Sequence, residues 1–185
     1  MVTLTRIPRM RLPSLLSVAT VTILAASPAA AQGSPIQLAA LSPAQLTPEG
    51  ESITGLRLSV LYTKNASVQY VDLGFGFNYS TGNGLGVQWA LVSKTDGTFS
   101  GWQSGLAAIT EKRFTGLQTG AFTSAPDGQG VQFGFVNTAT SWNGLQLGIV
   151  NYTERMTGGG LQVGLINIIR QGGVAPVLPL VNFTF

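Results

Sequence analysis

Large apolar residues alternate with small or polar residues along most of this chain. From Gly55 onward the alternation has a period of two, and turn residues interrupt it about every fifteen positions, a pattern typical of short β-strands. It predicts an all-β fold with about nine strands and no helical segment. The alternating segments open at Leu56, Val71, Leu85, Trp102, Leu117, Val131, Leu145, Leu161 and Val177.

One short sequence unit is repeated along this β region. Residues 144–151 return as residues 160–167, and weaker copies occur at 117–122 and 130–137. Repetition at a fixed spacing indicates copies of a single element that must pair with one another to bury their faces. The residues shared by the two best copies are Gly144, Leu145, Gln146, Gly148 and Asn151 in the first, and Gly160, Leu161, Gln162, Gly164 and Asn167 in the second.

The two faces of each unit differ, because one carries large apolar side chains and the other carries Gly, Gln or Asn. Large apolar residues facing lipid and small or polar residues filling a narrow lumen are typical of a small membrane barrel. We therefore expect an antiparallel outer-membrane-type β-barrel of about 8–9 strands. Arg57 and Asp72 alternate onto the small polar face, where either would be lumenal and paired, with a structural role favoured over a functional one.

The spacing of the repeats also supports a β-solenoid with one coil per ~15-residue repeat. Strand openings are about 14 to 17 residues apart and each strand repeats in the same sense, whereas an antiparallel barrel repeats as hairpins. A solenoid would stack Asn137, Asn151 and Asn167 into a ladder and would turn the face of Leu145 inward. A soluble β-sandwich is the third all-β arrangement.

Three regions are predicted along the chain. Residues 1–31 have the layout of an export signal, with arginines before the apolar run Leu15–Ala26 and small residues ending at Ala31. Residues 32–53 contain three prolines and are expected to form an extended leader. Residues 54–185 form a single repeat-built β domain.

Without the predicted export signal, the chain has no net formal charge. Seven basic and seven acidic residues remain, with no clustered basic face of the kind that nucleic acids require. Charged residues make up 9% of the chain, against about a quarter in soluble domains, and the mean hydropathy is +0.29. These values exclude a nucleic-acid partner and favour outer-membrane lipid as a partner.

The last strand has its own signal. Val181, Phe183 and Phe185 alternate with smaller or polar residues, and the chain ends on an aromatic residue. Such an ending resembles the C-terminal targeting strand of bacterial outer-membrane barrels, which implies recognition by the outer-membrane insertion machinery. Together with the export signal, it predicts a location in the bacterial outer membrane or at the cell surface.

The repeat is similar to that of a family of bacterial surface-repeat proteins, mostly uncharacterised. That family is built from copies of Gly-Leu/Val-Gln-x-Gly-Leu-x-Asn, which residues 144–151 and 160–167 match best, and its members often close with a proline-containing strand such as residues 177–183. The resemblance implies exposure at a bacterial outer surface. It carries no established activity and lends no catalytic residue.

The chain lacks the residues on which most enzymatic sites depend. It contains no histidine and no cysteine, so a Ser-His dyad, a thiolate nucleophile and an imidazole zinc site are all excluded. We therefore expect a non-enzymatic protein without cofactor, metal or catalytic site, and with a structural or surface-interaction role. The alternative is a secreted or surface solenoid acting as an adhesin or matrix element, and a small pore is less favoured.

Overall fold

The computed structural model describes residues 33–184. The predicted export signal and Phe185 lie outside the described residues. The strands are β1 (Ser34–Leu41), β2 (Ala44–Gln45), β3 (Ile53–Asn65), β4 (Val68–Gly74), β5 (Phe77–Ser80), β6 (Gly84–Trp89), β7 (Val92–Thr95), β8 (Phe99–Thr110), β9 (Arg113–Leu147), β10 (Val150–Met156), β11 (Leu161–Gln171) and β12 (Val177–Phe183).

Successive passes of the chain stack in parallel and in register. β1 pairs with β3, β3 with β4 and β5, β6 and β7 with β8, and β8 with β9, always in the same direction. β9 is 35 residues long and passes through successive coils before β10 and β11 continue the stack. The described residues therefore form a β-solenoid of about nine turns.

The all-β prediction is confirmed, but the antiparallel barrel of about 8–9 strands is not the architecture observed. Neighbouring repeats pair in parallel, and the order of strands runs from β2 and β1 at one end to β12 at the other. Parallel stacking places each residue on its equivalent in the next repeat, as Gln103 lies on Gln118. Polar side chains can then bond along the stack, which a hairpin arrangement of the same repeats would not allow.

The faces of the coil are reversed relative to the solenoid that the sequence suggested. We expected the face of Leu145 to be interior, but Gln146 and Asn151 are fully buried while Leu145 lies on the outer side. This expectation was wrong because the amide side chains of successive coils stack in register inside the coil and satisfy one another there. The small polar face is inside, as it would be in a barrel lumen.

A column of glycines sets the bend in each coil. Gly101, Gly116, Gly130 and Gly144 have φ values of 126° to 129°, a region that L-residues with side chains rarely adopt. A Cβ at each would overlap the backbone carbonyl oxygen of the glycine in the preceding coil. Glycine is therefore required here both by the backbone conformation and by the distance between coils.

A smaller apolar cluster fills the corner beside the polar interior. The rings of Phe99 and Phe114 stack at 5.9 Å between centroids, and Phe114 and Trp142 stack at 6.3 Å. Met156 and Ile169 extend the cluster toward the C-terminal coils. These side chains are the main large apolar groups buried within the described residues.

Both ends of the stack differ from its middle. Residues 34–41, which we expected in an extended leader, pair with β3 and form the first turn, because Gln37 alternates inward between exposed Ile36 and Leu38. The Gln37 side chain then bonds the backbone N–H and carbonyl of Thr47, so the following loop covers this end. At the other end, β12 pairs with β11 in the antiparallel direction.

Candidate functional site

A continuous ladder of glutamine side chains runs through the interior. Each Nε2 donates to the side-chain oxygen of the preceding coil over 2.6 to 2.9 Å. Such stacked amides satisfy one another in a space that water does not reach. The members are Gln88, Gln103, Gln118, Gln132, Gln146 and Gln162.

A buried ion pair begins this ladder. Arg57 Nη2 and Nε donate to the two carboxylate oxygens of Asp72 at 2.6 and 2.7 Å. The same carboxylate accepts from Gln88 and from Asn78, both at 2.7 Å. The prediction that Arg57 and Asp72 lie paired on the small polar face is confirmed, and the structure shows that each is the other's partner. With all of these donors, the carboxylate serves as the anchor of the ladder.

The predicted asparagine ladder is also confirmed. Asn137 Nδ2 donates to Asn151 Oδ1 at 2.7 Å, and Asn151 Nδ2 donates to Asn167 Oδ1 at 2.8 Å. These amides donate toward the C-terminal coils, whereas the glutamines donate toward the N-terminal coils. Thr123 donates to Asn137 Oδ1 at 2.6 Å and so begins the asparagine column.

The remaining repeat residues shape the coil. Gly144 occupies the bend, and Gly148 and Gly164 lie at the next corner, where a Cβ would meet a carbonyl oxygen of the preceding coil. Gly160 packs beside the Met156 side chain. Leu145 and Leu161 point outward. The repeat motif is thus a set of residues that build the solenoid, and its outward-facing positions are those able to meet a partner.

The predicted targeting strand forms the last strand of the fold. Phe183 lies opposite Leu161, and Val181 lies opposite Val163, in the antiparallel pairing of β11 and β12. Phe185 lies outside the described residues. Pro179 stands within β12, where the absence of its N–H is tolerated because this strand is at the edge of the sheet.

On the outside of the coil, large apolar side chains form a band along one corner, where residues such as Phe75, Leu91 and Leu106 follow one another from turn to turn. We call this band the apolar ridge, and its side chains are 47% to 72% exposed. The sequence indicated the band through its alternation, but the solenoid interpretation placed it inside. The apolar ridge consists of Val60, Leu61, Phe75, Leu91, Leu106, Phe135, Ile149 and Leu165.

A second set of exposed apolar residues covers the wall beside the apolar ridge. We call this wall the apolar flank. Two polar side chains interrupt it, and their hydroxyls are bonded locally: Thr119 donates to Ser104 and accepts from Trp102 Nε1. The apolar flank consists of Leu58, Val71, Leu73, Trp89, Trp102, Leu117, Phe133, Leu161 and Val163.

Near the N-terminal end, the apolar ridge and flank enclose a groove of about 550 Å³. Its apolar walls are formed by Leu38, Leu58, Val60, Leu73, Phe75 and Trp89. No charged residue lines this groove, and the one hydroxyl, that of Ser59, is hydrogen-bonded to Asn78. The groove can therefore hold an apolar group and has no free polar group with which to orient a polar one.

The charged side chains are segregated from the apolar ridge. They occur near the next corner of the coil, where Lys94 lies 3.3 Å from both Asp96 and Glu111, and Arg113 lies 2.7 Å from Asp127. The hydrogen bond from Tyr79 to Asp96 raises the pKa of the phenol. Burial lowers the pKa of Lys94, but hydrogen bonds to Glu111 and Asp96 outweigh it, and the net shift is upward. We call this region the charged edge.

Candidate chemistry is sparse in residues 33–184. Within that range, no group of three acidic side chains is placed to hold a metal ion, and no helix is long and apolar enough to cross a membrane. The arrangement is suited to noncovalent binding through apolar contact.

Comparisons with protein-family models, with curated proteins and with solved structures found no match to this chain. The similarity to bacterial surface-repeat proteins therefore stays a prediction from the repeat itself.

Proposed function

We propose that this protein is a non-enzymatic, exported β-solenoid that acts at the bacterial surface as an interaction element. The observation that carries the proposal is the apolar ridge, which runs along a coil whose interior is polar. Apart from the buried cluster around Phe114, most of the large apolar side chains face outward along the coil. A rigid rod with such a surface is suited to adhesion or to anchoring at an apolar partner.

The size of the exposed band supports this role. Nine parallel turns at about 4.8 Å each give a band about 40 Å long. Soluble monomers rarely expose contiguous apolar patches beyond a few hundred Å², and larger ones mark interaction surfaces. Burying one leucine side chain contributes about 1.5 to 3 kcal/mol, so a few of these residues suffice for stable binding.

Growth of a matrix by end-to-end stacking has less support than binding through the side of the rod. β12 reverses the direction of pairing at the C-terminal end and carries Pro179, which cannot donate to a further strand. The loop around Thr47 covers the N-terminal end. A pore also lacks support, because the ladder side chains fill the interior.

Fractionation of producing cells tests the proposal. The wild-type protein is expected in the envelope fraction. Leu106→Lys combined with Leu165→Lys should release it, because both side chains are on the apolar ridge and more than 60% exposed. Gln129→Lys is the matched control, since it adds a charge at an exposed position away from the ridge. Equal release of all three proteins, with native circular dichroism, would overturn the proposal.

A further inference from the structure

We propose that the apolar ridge is immersed in the acyl layer of a membrane surface, with the rod lying along the membrane. This inference rests on the proposed function and names its partner as lipid. Three features of the described residues support it: the shape of the apolar surface, the area of that surface on each side of the apolar ridge, and the distribution of charge.

The apolar surface extends to both sides of a corner of the coil. The most exposed side chains, such as Phe75, Leu106 and Leu165, lie at the corner of the coil, and the apolar flank continues on one side of them. On the other side, Phe122 and Ile166 are also exposed. A fluid acyl layer can surround such an edge on both sides at once. A rigid protein surface covers only one side unless it has a matching cleft.

The area of the apolar flank is too small for a stable interface with a second copy of this chain. Nine turns at about 4.8 Å, and three residues at about 3.3 Å each, give a flank of about 430 Å². Stable protein interfaces bury about 800 Å² per partner. Pairing of two flanks would therefore bury about half of that area and leave the apolar ridge in water.

The backbone and the groove fit the same environment. Parallel pairing satisfies the strand N–H and carbonyl groups along the rod, so few unpaired polar groups would enter lipid in this region. The groove between Leu58, Phe75 and Trp89 opens onto the same surface and has only apolar walls apart from the bonded Ser59 hydroxyl. One acyl chain can occupy it without leaving a polar group unsatisfied.

The charge distribution determines which lipid property matters. No charged residue lies on the apolar ridge, and within residues 33–184 the six basic and six acidic side chains outside the buried pair balance one another. Binding should therefore depend on apolar burial and not on anionic headgroups. Electrostatic attraction is screened by salt, but apolar burial is not, so we expect affinity to persist at high ionic strength.

Flotation with vesicles of neutral phosphatidylcholine is the direct test. Purified wild-type protein should float with the vesicles at low and at high salt. Leu106→Asp combined with Leu165→Asp should lower the bound fraction about tenfold or more, because two buried leucines are lost and two charges are added. Gln129→Asp is the matched control and should float like the wild type. Circular dichroism verifies that all three proteins are folded.

Tryptophan fluorescence adds a readout of position. Trp89 and Trp102 lie on the apolar flank, whereas Trp142 is fully buried in the coil. Lipids brominated along their acyl chains should quench the wild-type emission. Replacing Trp89 and Trp102 by Phe should leave a Trp142 signal that the same vesicles barely affect. Equal quenching before and after the replacement would overturn the proposed orientation.

The outcomes separate this inference from the proposed function. Envelope retention through the apolar ridge without flotation would overturn lipid as the partner and leave the proposed function standing. If the protein formed a dimer in the absence of lipid and did not float with vesicles, the partner of the apolar ridge would be a second copy of this chain and the lipid proposal would be overturned. Binding that disappears at high salt would also overturn it. If the ridge variant were retained in the envelope fraction as fully as the wild type, the proposed function itself would be overturned.

Discussion

Replacement of Gln118 by Leu tests whether the amide ladder stabilises the solenoid. The Gln118 Nε2 donates to Gln103 Oε1 at 2.9 Å and to the carbonyl oxygens of Ala108 and Ser124 at 3.0 and 3.1 Å. Its Oε1 accepts from Gln132 at 2.8 Å. Leucine has a similar size, so the change removes four hydrogen bonds and creates little empty space.

The expected magnitude follows from these four bonds. At about 0.5 to 1.5 kcal/mol each, their loss lowers the free energy of unfolding by about 2 to 6 kcal/mol. Apolar burial of the leucine offsets about 2 kcal/mol of that loss. The net destabilisation is therefore about 0 to 4 kcal/mol, with a central value of about 2 kcal/mol. With a urea m value of about 2 kcal/mol/M, the central value corresponds to a fall of about 1 M in the midpoint.

Urea denaturation followed by circular dichroism measures this change. Gln129→Leu is the control, because Gln129 is exposed and outside the ladder, and it should shift the free energy by about 0.5 kcal/mol or less. If Gln118→Leu were no more destabilising than Gln129→Leu, the ladder would not be a source of stability and the argument would fail.

Gln118→Glu adds a pH dependence to the same test. The new carboxylate would face three acceptor oxygens in a buried site, which raises its folded-state pKa above the unfolded value of about 4.3. The destabilisation is therefore present at pH 7 and diminishes as the pH falls through the folded-state pKa. Unfolding at pH 7 and pH 4 should show the variant approaching the wild type at the lower pH. The opposite trend would contradict the assigned direction of the ladder.

Two further substitutions test the bend and the anchor. Gly116→Ala should lower the free energy of unfolding by about 1 to 3 kcal/mol or more, because the φ of Gly116 is 126° and a Cβ would overlap the Gly101 carbonyl oxygen. Gly50→Ala is the control, since no atom lies within 4 Å of a Cβ at that position. Thermal unfolding measures both changes. Arg57→Gln should cost about 3 to 5 kcal/mol by leaving Asp72 buried and unpaired, and adding Asp72→Gln should recover most of this by extending the ladder. A double variant as unstable as Arg57→Gln alone in urea would show that the ion pair has a role that amides cannot fill.

Much of the internal structure was predictable from the sequence. The period-two alternation predicted strands, and the division into an apolar and a small polar face was correct for each repeat. Under the solenoid alternative, the shared position of Asn137, Asn151 and Asn167, six residues after the apolar residue that opens each repeat, predicted their ladder. Arg57 and Asp72 were predicted to lie on the polar face, and the structure shows that they pair with each other from neighbouring strands.

The direction of pairing and the side that faces the core were not predictable in this way. Alternation defines two faces of a strand but does not say which is buried, and the same pattern is compatible with a barrel wall and with this coil. Composition favoured a membrane barrel because it contains few charges. The residues 34–41 were expected in a leader because prolines dominate their surroundings, although their own alternation continues that of the repeats.

The sequence by itself determined an all-β repeat with a polar and an apolar face, because these features follow from local period and composition. Only the tertiary structure decided that the repeats stack in parallel, since Gln103 meets Gln118 and Asn137 meets Asn151 only when whole coils are superposed in register. It also decided that the apolar ridge is outside. The polar face can be inside because, once the coils are in register, its amide side chains satisfy one another.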